Sequence, residues 1–81
     1  DVVYIFADEG QVRQIQSFQI FDRWGEQVFL QQNFQPNDPS YGWNGRLRGK
    51  LQTPAVFVYY AEIELVDGRV LLFKGDVTLV R

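Results

Sequence analysis

The sequence predicts an all-β domain, a two-sheet antiparallel sandwich of about seven strands. Three observations lead there. Short runs of β-branched and aromatic residues alternate with a period of two, as on half-buried strands. Clusters of Gly, Pro, Asn and Asp divide those runs. No heptad, longer repeat or amphipathic helical window is present. Composition alone does not separate a sandwich from a small barrel.

Residues 1–6 read as a first strand, with Val2, Tyr4 and Phe6 on one face and Val3 and Ile5 on the other. Asp8, Glu9 and Gly10 then form a turn cluster. Calcium takes six to eight oxygen ligands, and these two acids come without a calcium-loop spacing, so a solvated loop is expected.

The chain is organised around residues 14–30, QIQSFQIFDRWGEQVFL, which read as two strands joined by a tight turn. Phe18 and Ile20 share one face. Gly25 offers the backbone freedom that a short hairpin turn demands. Beyond it, Val28 and Leu30 are expected on one face, with Gln27 and Phe29 on the other. Asp22, Arg23 and Trp24 sit at the hinge. They are either a corner lock, with Asp22 and Arg23 joined by a charge-assisted hydrogen bond, or an exposed recognition tip.

Residues 31–41 contain Pro36 and Pro39, which lack a backbone donor and exclude a central strand. A loop is expected there, with Phe34 tucked beneath it. In Gly42-Trp43-Asn44-Gly45 the glycines permit close backbone approach. Trp43 is then a core plug or, alternatively, an exposed ring for stacking on a sugar. Arg46, Arg48 and Lys50 alternate, so on one strand they share a face. That face is a small anion-binding stripe, or a solvated edge that discourages strand addition.

Gln52-Thr53-Pro54 breaks the chain before the longest strand, residues 55–66. Phe57, Tyr59, Ala61, Ile63 and Leu65 line one face of it; the other turns from Val56, Val58 and Tyr60 to Glu62 and Glu64. Asp67-Gly68 signals a hairpin turn. Residues 69–74 pair back, Gly75 interrupts as a bulge or sheet-switching corner, and residues 76–81 form a separate last strand.

Composition narrows the function. Eighty-one residues make one domain, which buries only about 60–65% of its unfolded surface and needs a dense core. With 46% hydrophobic and 16% aromatic residues the chain has one, and it does not look disordered. Cysteine and histidine are absent, which removes disulfides, cysteine nucleophiles, Ser-His-Asp triads and the usual zinc sites. Ser17 and Ser40 have no histidine to activate them. A non-catalytic domain without a cofactor is expected. A net charge of −2 and a pI near 4.9 disfavour nucleic acid as a partner. No run approaches a membrane span. The chain starts without methionine or a visible signal peptide, so it is expected to be a piece of a longer protein with its export signal upstream.

The hairpin Phe18-Gln-Ile-Phe-Asp-Arg-Trp-Gly-Glu-Gln-Val-Phe29 resembles the signature of the gliding-motility-associated C-terminal domains, the type B sorting domains of the type IX secretion system. The resemblance continues through Gly42-Trp43-Asn44-Gly45, Gly49-Lys50 and Val56-Phe-Val-Tyr59, and closes with Lys74-Gly75-Asp76-Val-Thr-Leu-Val-Arg81. The pieces stand in the family's order and span nearly the whole chain. Ala55 departs from the family's glycine after Pro54. The resemblance implies an immunoglobulin-like sandwich that directs a host protein through the periplasm and outer membrane to the cell surface or medium. Its implied partners are the translocon, or an associated outer-membrane protein, and the host's upstream domains. Residues 18–29 and 74–81 are the implied label. Two rivals stand beside it. One is a carbohydrate-binding or adhesive module of a cell-surface protein. The other is a structural domain of the flagellar hook-capping type, which shares the Gly-Trp-Asn-Gly and Val-Phe-Val-Tyr stretches but not Asp-Arg-Trp-Gly.

Overall fold

Four strands make one antiparallel sheet, and the turn residues set where each begins and ends. The computed structural model describes residues 2–8, 10–47, 50–51 and 56–78, with Lys50 and Leu51 described by their backbone alone. Strands β1 (Val12–Phe21), β2 (Gln27–Phe34), β5 (Val56–Leu65) and β6 (Val70–Thr78) lie in the order β2-β1-β5-β6. Between β2 and β5 come a 3-10 turn, Pro39–Tyr41, and a separate two-stranded hairpin of β3 (Arg46–Leu47) and β4 (Lys50–Leu51).

β1 lies at the centre because both its edges find partners. Its register runs from Ile15↔Phe34 to Phe21↔Gln27 on one side and from Val12↔Leu65 to Phe21↔Val58 on the other. Two bulges interrupt the β5 side, at Val12/Gln14 and Ile15/Ser17. Each inserts a residue and shifts the alternation by one, so Ile15, Phe18 and Ile20 all reach the core. Phe57, Ala61 and Ile63 of β5 join them on the same inner face, with Val28, Phe34 and Trp43. Segment 2–7 and Leu47 pack onto that face through Val3, Ile5 and Leu47.

The all-β class holds, but seven strands are not seen: six are present among the described residues. Residues 2–7 make one isolated antiparallel bridge, Val3 to Trp43, instead of a strand. Their remaining backbone pairing goes to the loop: Asn37 donates its amide to the Ile5 carbonyl at 2.7 Å and grips Ala7 with its side chain. The two expected strands around Gly75 are one continuous β6, paired with β5 without a register break. Gly75 is no bulge; the ring of Tyr59 lies where its Cβ would be, 2.8 Å away, so glycine is needed to seat the ring. In β2 the expected faces are also rearranged. A bulge opposite Ile20/Phe21 changes the phase, so Val28 is buried while Leu30 is exposed, and Phe29 meets Phe18 edge-on at 5.6 Å. Residues 31–34, expected in the loop, instead extend β2, because they still pair with β1; Phe34 closes that strand, is buried and stacks on Tyr41 at 5.4 Å. Asp1, Glu9, Arg48, Gly49, the break at 52–54, Ala55, Leu79, Val80 and Arg81 lie outside the described residues.

Candidate functional site

The hinge between β1 and β2 is locked by one carboxylate. Asp22 Oδ1 accepts hydrogen bonds from the Trp24 and Glu26 amides, both at 2.9 Å. The Asp22 carbonyl accepts from the Gly25 amide at 3.1 Å, and the Asp22 amide donates to the Glu26 carbonyl at 2.9 Å. An aspartate that folds back on its own backbone amides is a favoured turn device. Gly25 has φ 85°, the left-handed region that glycine enters freely. The expected Asp22–Arg23 pair is therefore not what closes the corner, because the carboxylate is already taken by backbone donors. Arg23 instead places its guanidinium 5.9 Å from the centre of the Trp24 ring. Trp24 is 85% exposed. Corner lock and exposed tip are both present, on different residues.

Trp43 and Gly45 are buried on the opposite side, with Gly42 half-buried beside them. Trp43 is 2% exposed, meets Phe57 edge-on at 5.1 Å and donates its indole N–H to the Arg46 carbonyl at 2.9 Å. A Cβ on Gly42 would lie 2.6 Å from the Val3 carbonyl oxygen, so that bare backbone admits the bridge to residue 3. Gly45, with φ 84°, is buried beside the plug. Together these contacts seat the indole in the core. The expected cationic stripe is broken: Arg46 is on β3 and Lys50 on β4, where Arg46 pairs with Leu51 and Leu47 with Lys50. The side chain of Lys50 and all of Arg48 lie outside the description.

The outer face of the sheet carries Lys74 and Asp76, while Gly75 between them lies on the inner face against Tyr59. The outer rows follow from the register. Phe21, Val58 and Asp76 stand side by side, then Gln19, Tyr60 and Lys74, then Ser17, Glu62 and Leu72. Phe21 and Tyr60 meet edge-on at 5.7 Å. The hinge residues Asp22, Arg23 and Gly25 border the same shallow groove, with Tyr60, Glu62 and Leu72 along it. The hairpin and the closing strand, distant in sequence, thus share one face with only β5 between them, a separation of roughly 10 Å. Arg81 lies beyond the described residues.

Polar pairing on this face is dense around Glu64. Its carboxylate accepts from Gln14 at 3.0 Å and from Arg13 at 3.1 Å, and its pKa falls below the ordinary value, first because of Gln14 and further because of Gln16 and Arg13. Ser17, buried, donates to Glu62 at 3.1 Å. Asp38 and Asp67 are also lowered, by bonds from Ser40 and from the Arg69 amide respectively. Asp8 takes part in its turn by accepting from the Gly10 amide. Among the described residues no three acidic, histidine or cysteine side chains gather as a metal site.

Two features escape sequence reasoning. Asn37, with φ 66°, replaces a strand partner for segment 5–7, and its only signal was its place between prolines. An apolar groove of about 470 Å³ runs between that segment and β6, with Ile5, Phe6, Leu71, Phe73 and Val77 along it. No protein-family model, curated protein or solved structure matches the chain.

Proposed function

We propose that the chain is a non-catalytic C-terminal sorting domain of the type IX secretion kind, read on the outer face of its sheet. A host protein upstream is its cargo, and the translocon or an outer-membrane partner is its reader. The observation that supports this best is that the two most family-like segments, residues 18–29 and 74–78, both contribute to one exposed face, with only β5 between them. Buried motif residues such as Trp43 are then the support, and Arg23, Trp24, Lys74 and Asp76 the displayed surface. The fold reading that goes with it is an immunoglobulin-like sandwich. The four-stranded sheet is one layer, and segment 2–7 with the β3–β4 hairpin is the other. Fold alone does not carry the function.

The test fuses residues 1–81 behind a periplasmic reporter in a host with the type IX machinery. The reporter should reach the surface or medium. Lys74→Ala and Trp24→Ala should leave the domain folded, as judged by melting, while the reporter stays in the periplasm. If the intact fusion never leaves the periplasm while a known sorting domain exports the same reporter, the reading is wrong.

One observation favours a second reading, an adhesive or carbohydrate-binding module. Trp24 is exposed beside Arg23, and Phe21 and Tyr60 flank the outer groove. Glycan binding that disappears in Trp24→Ala, with unchanged stability, would support it over sorting.

A further inference from the structure

β6 is an edge strand, and its open side has a charge pattern that complements itself. Among the described residues it pairs only with β5. The Leu65 amide donates to the Arg69 carbonyl at 2.8 Å, which sets the phase of the ladder. Alternation then gives the bonds to β5 to Leu71, Phe73, Gly75 and Val77. Val70, Leu72, Lys74, Asp76 and Thr78 turn their backbone N–H and C=O groups to the open edge. Edge strands are usually blunted by proline, a bulge or unpaired charge. β6 has no proline and no register break, and its one lysine stands two residues from an aspartate.

We propose that β6 pairs edge to edge with β6 of a second copy of this chain, antiparallel, with Gly75 on the two-fold axis. A two-fold axis makes the contact the same from both sides. The registers that keep the outward backbone groups face to face differ only in which residue lies on the axis. With Lys74 there, the two lysines oppose each other. With Asp76 there, the two aspartates do. Both arrangements set like charges directly opposite, which destabilises a strand pair. With Gly75 on the axis, Lys74 of each copy faces Asp76 of the other, and two opposite-charge pairs form. Axes further along the strand leave both charges without a cross-strand partner. On the inner face the same register sets Phe73 opposite Val77. Phe73 is 46% exposed in the single chain, so pairing covers apolar surface left open along β6. The inference is independent of the sorting reading.

A single strand edge buries less than the roughly 1,200 Å² at the low end of stable interfaces, so the association is weak and follows concentration. Lys74 and Asp76 are exposed and face away from the core, so reversing either charge spares the fold. Sedimentation equilibrium of residues 1–81 should show a monomer–dimer equilibrium. Lys74→Asp alone and Asp76→Lys alone should each weaken it by about tenfold or more, since two attractions become two repulsions. An equimolar mixture of the two variants should restore it as a heterodimer, because each variant supplies the charge the other lacks. Far-UV circular dichroism checks that every variant keeps the wild-type fold. A dimer indifferent to both reversals, or a mixture no better than either variant alone, overturns the proposal. So does a wild-type chain that stays monomeric at millimolar concentration, which would leave the edge to a strand of a different protein.

Discussion

Trp43 and Trp24 each stand next to a glycine, and they end in opposite environments. Trp43 is enclosed, with Phe57 against its ring and the Arg46 carbonyl on its indole N–H. Trp24 projects from the hairpin tip with the Arg23 guanidinium alongside. Their neighbours decide the difference. Gly42 brings the backbone of residue 43 against residue 3 and turns the indole under the sheet. Asp22 and Gly25 tighten a two-strand turn that leaves Trp24 exposed at its tip. The same aromatic residue thus supports the inner face in one place and is offered to solvent in the other. Small domains need the first use; the second is open to recognition.

The sharpest way to break this contrast is to truncate the buried ring. Trp43→Ala should cost about 3–5 kcal/mol, the range for large aromatic truncations in a core. Urea unfolding would show the midpoint collapsing, and a chain this small has little stability to spare. Gly75→Ala comes next, at about 1–3 kcal/mol, because the new methyl strikes the Tyr59 ring. That cost should shrink in a Tyr59→Leu background, in a double-mutant cycle read by melting. Asp22→Ala should cost about 1 kcal/mol, as for loss of a side-chain cap on two amides. Its effect should add to that of Arg23→Ala, since the carboxylate serves the backbone and the guanidinium serves Trp24. Trp24→Ala should change stability by less than about 0.5 kcal/mol, as exposed substitutions do.

The smallest expected effect is in acid. Asp38, Glu64 and Asp67 have pKa values lowered in the folded chain. The stability they contribute is present above the ordinary carboxylate pKa of about 4 and is lost as pH falls through their lowered values. Asp67 is exposed and Asp38 and Glu64 are partly so, so the loss is modest. Comparing melting temperatures at neutral and acid pH, Glu64→Gln should flatten the decline slightly.

Turns carried their own chemistry and were legible. Gly25 with Asp22, and Gly68 with Asp67, mark the two hairpins that the sheet contains. The inner face of β5 was legible too, because its alternation runs unbroken from Phe57 to Leu65. Bulges were not. An extra residue at Val28 or near Gln16 is a property of two paired strands, and one strand's pattern does not carry it. Gly75 misled for a related reason: its demand comes from Tyr59 on the neighbouring strand, not from its own backbone. The hinge cluster is legible as a unit, but the partner of Asp22 is not: its carboxylate is taken by the Trp24 and Glu26 amides, while Arg23 lies against Trp24.

Iodide quenching of tryptophan fluorescence in Trp24→Phe most directly tests whether one face supports the core and the other is left exposed. Trp43 is then the only tryptophan, and excitation selective for indole keeps the four tyrosines silent. Its emission should be blue-shifted and nearly insensitive to iodide until the chain unfolds, while the wild-type protein shows an additional, readily quenched component from Trp24. Emission from Trp43 that is red-shifted and quenched as easily as that of an unfolded chain would contradict the enclosed plug, and with it the division between the two faces.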